Sequence, residues 1–424
     1  MEAWAEIVEG VMDVRATRRA VSQRLMAGAL ALPVLGAGCG RQAGEPGASR
    51  DTSTLGFDST RLAQLQQVMD RAFAERQIGC GLAVVSRDGQ VAFEAAVGEM
   101  APGVPMRSDA ICRLSSIGKA FTATAIMILY EQARLRLDND IAMFIPEFAT
   151  ATVGAARTPL IRPITIGDLL THRAGLRVTG PAFEAAFDAA ETTLDLSRRL
   201  AALPMAAQPG EAYDYGYFGS SYEVLGAIIE IVSGQKLDQF FSERIFTPLG
   251  MQDSYFFVPE DKKQRLAPVY KGVGDDLSVF RARGEEEPVS TFLAGGGGVR
   301  GTIQDFHRFS LCLLQEGELE GARILSPHAV RLMTADHVGE QYPSGSRDYG
   351  WGFGFQVRRR VLGADIGSVG TFGWNGGTGT CYWVDPQEKL IGIVFTQTQP
   401  PAPYALFDSL EVSMYQAIAR SQAR

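Results

Sequence analysis

The spacing of apolar residues predicts a helix and then a β-hairpin near the start of the chain. Across residues 60–75 the apolar positions recur at helical spacing and would share one face: Leu62, Leu65, Val68, Met69 and Phe73. Residues 81–86 and 90–98 flank Arg87-Asp88-Gly89, and an Asp-Gly pair at this place is typical of a hairpin turn. The chain therefore begins its periodic part with an amphipathic helix and two antiparallel strands.

The middle of the chain is predicted to be mostly helical. Apolar or alanine-rich runs at helical spacing cover residues 122–134, 164–176, 181–208, 222–232 and 302–315. Residues 259–290 are charged and show no periodicity, which predicts an irregular surface excursion or lid.

The C-terminal part predicts more strands and a last helix. Residues 352–397 alternate apolar and polar positions between glycine turns, and residues 405–419 are helical in pattern. A hairpin near the start and strands near the end predict one antiparallel sheet built from both ends of the chain. The expected fold class is α/β of the α+β type, an antiparallel sheet flanked by helices plus an inserted helical domain, with the site in the seam.

The N-terminal residues have the pattern of an export signal, predicted over residues 1–39. Arg18-Arg19 precedes an apolar run over residues 25–38 that is too short to span a bilayer, and paired arginines favour the twin-arginine route. Cys39 follows a sequence like a lipoprotein cleavage box, although Gly36 is a poor fit to it. The protein is therefore expected to be periplasmic, with membrane attachment only through a lipidated Cys39. The alternative is a disordered, arginine-containing leader.

After the predicted leader, the sequence predicts a flexible tether over residues 40–57 and a folded domain over residues 58–424. The composition of the chain limits the classes of partner that it could bind. The 424 residues carry a net charge of −8 and are 46% hydrophobic, which fits a globular protein and gives no sign of nucleic-acid binding. Five cysteines and four histidines show no metal-binding spacing, so neither a disulfide framework, a metal nor a cofactor is expected.

Ser116 and Lys119 stand where the long apolar helix begins. If the helix starts at Ser116, these side chains are three residues apart and share one face. A helix N-terminus offers free N–H groups and a positive partial charge, which suits a serine that loses its proton and an oxyanion that follows. A lysine inside an apolar helix is costly to keep charged and can act as a base. The alternative is a serine N-cap beside a solvated lysine.

A second Ser-x-x-Lys occurs at Ser233–Lys236. Gly234 follows an apolar run there, which is typical of a helix C-cap, so this copy is predicted to be structural with Lys236 in solvent. His172, near the end of a short helix, could serve a catalytic triad, but packing or capping is the expectation for a histidine there.

Two further stretches could complete a site. Tyrosines crowd residues 213–217, and one near Lys119 could relay the serine proton, although such tyrosines are usually packing residues. The glycine-rich strand over residues 372–380 could approach a substrate closely and offer a backbone N–H to an oxyanion, or could be a hairpin packed on Trp374.

Taken together, these motifs resemble the serine β-lactamase and penicillin-binding fold in its class C-like branch, and most closely the family VIII carboxylesterases. The stretches that carry the resemblance are Ser116-Ile117-Gly118-Lys119, residues 164–176, Pro209-Gly210 with Tyr215, and residues 248–251, 295–302 and 374–386. The resemblance implies acyl-serine chemistry with Ser116 as nucleophile and Lys119 and Tyr215 sharing proton transfer. It also implies an oxyanion hole from the backbone N–H groups of Ser116 and Gly377.

Departures from the family pattern bear on the substrate. Tyr217 stands where β-lactamases of this branch have asparagine, and Trp374-Asn375-Gly376 replaces a Lys-Thr-Gly strand whose lysine would pair with a substrate carboxylate. Tyr217, Trp374, Asn375 and Gly376 are the expected substrate-binding residues. A neutral small-molecule ester of short to medium acyl length is the expected substrate, and weak cephalosporin hydrolysis or acyl transfer is compatible with the same groups.

Other activities remain as alternatives. A β-lactamase or penicillin-binding DD-peptidase acting on cell-wall peptides would use the same nucleophile, but Trp374 argues against it. A catalytically silent relative has no need of Ser116, Lys119 and Tyr215 together. An α/β-hydrolase needs a Gly-x-Ser-x-Gly elbow, and residues 219–223 fail it at the last position.

Overall fold

The computed structural model describes most of the chain after the predicted leader. The described residues are 52–176, 179–216, 220–286, 292–342, 348–361, 366–399 and 404–423. The predicted export signal, most of the predicted tether, and Tyr217 lie outside them. Within these ranges no helix combines the length and apolar character needed to cross a membrane.

Strands from both ends of the chain form one sheet, as the sequence predicted. The strands are β1 Cys80–Arg87, β2 Gln90–Ala101, β3 Val104–Pro105, β4 Cys112–Arg113, β5 Thr152–Val153, β6 Thr158–Pro159, β7 Val269–Lys271, β8 Ser278–Arg281, β9 Arg300–Gly301, β10 Glu318–Leu319, β11 Ala322–Arg323, β12 Tyr349–Trp351, β13 Gln356–Arg358, β14 Phe372–Gly376, β15 Thr380–Asp385, β16 Leu390–Phe395 and β17 Thr398–Gln399. Eight of them are antiparallel neighbours in the order β12-β13-β14-β15-β16-β1-β2-β3. The two ends meet where β1 pairs with β16.

Helices cover both faces of this sheet. They are α1 Ser59–Leu62, α2 Gln64–Ala74, α3 Lys119–Glu131, α4 Ile166–Leu170, α5 Pro181–Asp188, α6 Thr193–Ala202, α7 Ser220–Ser233, α8 Leu237–Phe241, α9 Ile303–Leu314, α10 Pro327–Met333 and α11 Tyr404–Gln416. The apolar residues of α2 and α11 pack with one face of the sheet. The helices of the middle of the chain form a larger apolar cluster with the other face, and α3 lies inside it, buried from Lys119 to Leu129.

Local signals explain the first hairpin. Asp88 and Gly89 both have positive φ, 51° and 76°, which the tight turn between β1 and β2 requires. The boundary of the folded domain lies earlier than the sequence suggested. A short 3₁₀ turn, Thr52–Leu55, precedes Phe57, and both Leu55 and Phe57 are buried against the C-terminal helix layer. Residues 52–57 therefore pack on the domain although they were assigned to the tether.

Residues 259–290 were predicted to be an irregular surface excursion or lid, and the described ones among them, 259–286, depart from this prediction in part. They contain β7 and β8, which pair with each other and with β17 in a small separate sheet. These strands are only three and four residues long, and β8 is mostly exposed, so no alternation of apolar positions marks them in the sequence.

Candidate active site

Ser116 lies in a 3₁₀ turn, Ser115–Gly118, that leads directly into α3 at Lys119. Ser115 has φ of 52°, an uncommon value for a residue with a side chain, and it turns the chain sharply just before Ser116. Ser116 is half-buried, whereas Lys119 is buried. The serine thus stands at the N-terminal end of the buried helix, one turn from the lysine, as the sequence predicted.

The amine of Lys119 is held by two oxygens. Its Nζ lies 3.1 Å from Ser116 Oγ and donates to the carbonyl of Gly296 at 2.8 Å. It also sits over two aromatic rings, 5.0 Å from the centroid of Tyr215 and 5.8 Å from that of Tyr222. At 3.1 Å the amine is within hydrogen-bond reach of the hydroxyl whose proton it would accept.

Gly296 belongs to the glycine run over residues 295–298, which passes beside α3 and α7. Its N–H donates to Oε1 of Glu223 at 3.0 Å, and Thr122 donates to the carbonyl of Gly295 at 2.6 Å. Burial raises the pKa of the Glu223 carboxyl from 4.5 to about 7, opposed by the nearby Lys119 amine and the glycine N–H groups. The sequence analysis did not single out Glu223.

Tyr215 and Trp374 contact each other above the lysine. The indole N–H of Trp374 donates to the Tyr215 hydroxyl at 2.9 Å, and the two rings are 5.0 Å apart. Trp351 packs edge-on against Trp374 at 4.6 Å and against Tyr215 at 5.7 Å. The predicted proton-relay tyrosine therefore lies in an aromatic wall, and its hydroxyl oxygen already accepts one hydrogen bond.

His172 is part of the packing beneath this wall. It is buried with rings of Tyr215, Tyr222 and Trp351 at 4.7, 5.0 and 5.1 Å. Neither ring nitrogen has a hydrogen-bond partner within the described chain, and burial holds the pKa of the imidazole well below its usual range. A neutral histidine in this setting supports the tyrosine by contact, in agreement with the predicted packing role.

The end of β14 approaches the serine turn. A methyl group on Gly376 would lie 2.8 Å from the carbonyl oxygen of Leu114 and 3.0 Å from Cβ of Ser115, so only glycine fits there. Gly377 follows it, is exposed, and has open space where a side chain would be. Gly377 thus follows directly after the strand end that contacts the serine turn, and its role in an oxyanion hole stays a prediction.

Thr378 ties the same strand end to the residues before Ser116, a contact that the sequence did not reveal. Its hydroxyl lies 2.8 Å from Ser115 Oγ and donates to the carbonyl of Arg113 at 2.9 Å. These bonds fix the serine turn against the connection between β14 and β15. The pattern of small residues after Trp374 gave the only hint of this contact.

Not all predicted substrate-binding residues face this site. Trp374 and Gly376 do, so the alternation of a strand puts the side chain of Asn375 between them on the opposite face. Its cross-strand partner, Cys381, packs in the cluster on that opposite face. Asn375 is therefore placed away from Ser116, and Tyr217 lies outside the described residues.

The second Ser-x-x-Lys has the predicted structural role. Helix α7 ends at Ser233, Gly234 has φ of 74°, and Lys236 is exposed. Ser233 Oγ accepts from the backbone N–H of Gln235 at 3.1 Å. This serine ends α7 and caps the turn that leads into α8, whose N-cap is Lys236.

Comparison with known proteins places these groups in a family. The family model described as "Beta-lactamase" matches residues 65–413. The chain is 28% identical to "Esterase EstB" from Burkholderia gladioli, over 83% of this chain and 94% of that protein. It is 29% identical to "Penicillin-binding protein 4" from Amycolatopsis lactamdurans, over 78% of this chain and 89% of that protein.

A solved structure has the same fold. The structure of "EstCE1, a hydrolase with promiscuous acyltransferase activity" superposes with a TM-score of 0.73 at 26% identity. The match covers 85% of this chain and 99% of that one. The layered sheet with its helical insertion is thus the architecture of a known hydrolase.

Proposed function

The chain belongs to the beta-lactamase family and has the serine β-lactamase and penicillin-binding fold, and from this premise we propose that this serine hydrolase is a carboxylesterase. Its substrates would be neutral esters with short- to medium-chain acyl groups. Similarity to an esterase over most of both chains supports this choice.

In this proposal Ser116 Oγ attacks the ester carbonyl while its proton passes to Lys119, 3.1 Å away. The backbone N–H groups of Ser116 and Gly377 would hold the oxyanion of the tetrahedral intermediate. Its collapse breaks the bond to the alkoxide, which leaves as the alcohol with the proton that the Lys119 and Tyr215 pair took from Ser116. Water then attacks the acyl-enzyme, and an alcohol in place of water would give acyl transfer.

The observation that carries the choice of substrate is Trp374. The family resemblance implies a lysine at this strand position in members that bind a substrate carboxylate. Here the position holds an indole whose N–H is already used by Tyr215 and whose ring packs on Trp351. An apolar aromatic wall favours a neutral acyl or alkoxy group over a carboxylate, because a carboxylate buried there would lose its hydration without gaining a cation.

The test compares ester and β-lactam turnover by matched serine variants. Wild type, Ser116→Ala and Ser233→Ala would be assayed with p-nitrophenyl butyrate and a chromogenic cephalosporin. We expect rapid ester hydrolysis, loss to background in Ser116→Ala, and wild-type rates in Ser233→Ala, whose serine caps a distant turn. Ester turnover that survives Ser116→Ala would refute the assignment of the nucleophile.

A β-lactamase or DD-peptidase is the second candidate, supported by the similarity to a penicillin-binding protein. It predicts stable acylation of Ser116 by a labelled penicillin, or cephalosporin turnover at least equal to ester turnover. If the protein is an esterase, the wild type should turn over the cephalosporin slowly, and Trp374→Lys should raise that turnover because lysine supplies a cation for the substrate carboxylate. A wild type that already prefers the cephalosporin would favour this candidate.

We also propose that residues 1–39 direct export and that Cys39 can be lipidated. The paired arginines before an apolar run, and the cleavage-box-like sequence before Cys39, support this. Fractionation of cells expressing the full chain should find it in the periplasmic fraction, or in the membrane fraction where Cys39 is lipidated, and Arg18→Lys with Arg19→Lys should retain it in the cytoplasm. Labelled palmitate should enter wild type but not Cys39→Ala; no label in either would reject lipidation.

A further inference from the structure

One peptide unit beside the candidate site is held at both of its polar ends. The unit that joins Gly295 to Gly296 has a carbonyl that accepts from Thr122 Oγ1 at 2.6 Å and an N–H that donates to Glu223 Oε1 at 3.0 Å. The two partners come from different helices, α3 and α7. With both ends bonded, this peptide cannot rotate without losing a buried hydrogen bond.

The next carbonyl along the chain, that of Gly296, accepts from Lys119 at 2.8 Å. The anchored peptide fixes the backbone on the N-terminal side of Gly296, the residue whose carbonyl holds the lysine amine. We propose that Glu223 is a positioning residue for Lys119, because it fixes the peptide that leads to the carbonyl holding the lysine amine beside Ser116. It rests on the function proposed above, in which Lys119 accepts the serine proton.

The setting of Glu223 argues against a packing role. It is buried in a helix, α7, whose neighbouring residues from Tyr222 to Ile229 are otherwise mostly apolar and buried. Only Oε1 bonds to Gly296; Oε2 is buried with no partner within the described chain. Burial also raises the pKa of this carboxyl to about 7. An apolar side chain would fill this place at lower cost, so the carboxyl is better explained by what its one bonded oxygen holds.

The test distinguishes the effect of the hydrogen-bond acceptor of Glu223 from the effect of its side-chain volume. Glu223→Gln keeps an acceptor for the Gly296 N–H, whereas Glu223→Leu keeps similar volume and removes it. Glu230→Leu, a substitution of the same type two turns along α7, is the matched control. Thr122→Val removes the other bond to the same peptide without touching Glu223.

Two readouts are needed. The first is the second-order rate at which an alkyl fluorophosphonate labels Ser116, followed by intact mass, because it requires serine activation but no ester. The second is kcat and KM for p-nitrophenyl butyrate, with thermal unfolding recorded to show that each variant is folded. Misplacement of a catalytic group by about 1 Å costs about 100-fold in rate.

We expect Glu223→Leu to lower both the labelling rate and kcat by about 100-fold with KM close to that of the wild type. Glu223→Gln should recover most of that loss, and Glu230→Leu should match the wild type. Thr122→Val should lower both rates, and its effect should be smaller when Glu223 is already leucine, since both side chains hold one peptide.

A folded Glu223→Leu that labels at the wild-type rate would overturn the inference. A Gln variant as slow as the Leu variant would also overturn it, because the charge and not the acceptor would then matter. If Glu223→Leu does not fold, a wild-type labelling rate in Thr122→Val overturns it. A wild type that is labelled at Ser116 but hydrolyses no ester would reject the esterase while leaving the labelling comparison intact.

Discussion

Replacement of Glu223 by glutamine should make the protein more stable at alkaline pH. The carboxyl is buried, and desolvation raises its pKa from 4.5 to about 7 in the folded protein. In the unfolded chain it is hydrated and titrates near its ordinary value. Glutamine has nearly the same shape, can accept the same hydrogen bond from Gly296, and never ionises. The variant therefore removes a buried charge and little else.

The direction and size of the effect follow from proton linkage. Between pH 4.5 and 7 the folded protein holds a proton at Glu223 that the unfolded chain has lost, so the free energy of unfolding falls as pH rises through this window. Above pH 7 both states are ionised and the loss is complete. A shift from 4.5 to about 7 corresponds to about 3 kcal/mol, of which about 2 to 3 kcal/mol falls between pH 5 and pH 8.

Urea denaturation followed by tryptophan fluorescence would measure this, at pH 5 and pH 8. Taking the difference between Glu223→Gln and wild type cancels the other titrating groups. We expect this difference to grow by about 2 to 3 kcal/mol from pH 5 to pH 8 in favour of the variant. Glu230→Gln is the control, because Glu230 is on the same helix but only half-buried. Its stability relative to the wild type should increase much less between pH 5 and pH 8. A Glu223→Gln difference that does not change with pH would refute the reasoning.

Three further predictions concern the sheet, acid stability and the aromatic wall. Gly376→Ala should lose about 1 to 3 kcal/mol of stability by overpacking. Gly377→Ala places its methyl group in open space and should unfold like the wild type. Equal losses of stability in urea titrations of the two variants would contradict the placement of the strand. Burial lowers the pKa of His307 from 6.5 to about 4, so its folded state rejects a proton that the unfolded chain accepts, and stability should fall as pH drops through that window. His307→Gln should remove about 3 kcal/mol of that loss, and a wild-type acid profile in this variant would contradict it. Trp374→Phe keeps an aromatic ring but removes the N–H that donates to Tyr215. We expect kcat/KM for p-nitrophenyl butyrate to fall about 5-fold. An unchanged kcat/KM would show that this hydrogen bond does not orient the tyrosine.

Much of the fold could be predicted because it rests on local patterns. The Asp-Gly turn, the buried apolar helix after Ser116 and the glycine at the end of α7 each state a backbone preference within a few residues. The position of Ser116 and Lys119 at one helix start follows from a spacing of three. The short strands β7 and β8 were missed because pairing in a three- or four-residue strand is decided by its neighbours and not by its own sequence.

The sequence by itself determined the family resemblance, the serine and lysine at the head of one helix, and a sheet drawn from both ends of the chain. Only the tertiary structure decided which distant residues meet there. It turned Asn375 to the far face of β14, brought the Trp374 indole to the Tyr215 hydroxyl, and set Glu223 of α7 against the glycine run that holds Lys119. These contacts join residues far apart along the chain, and their energies depend on burial and on partners that no local pattern encodes.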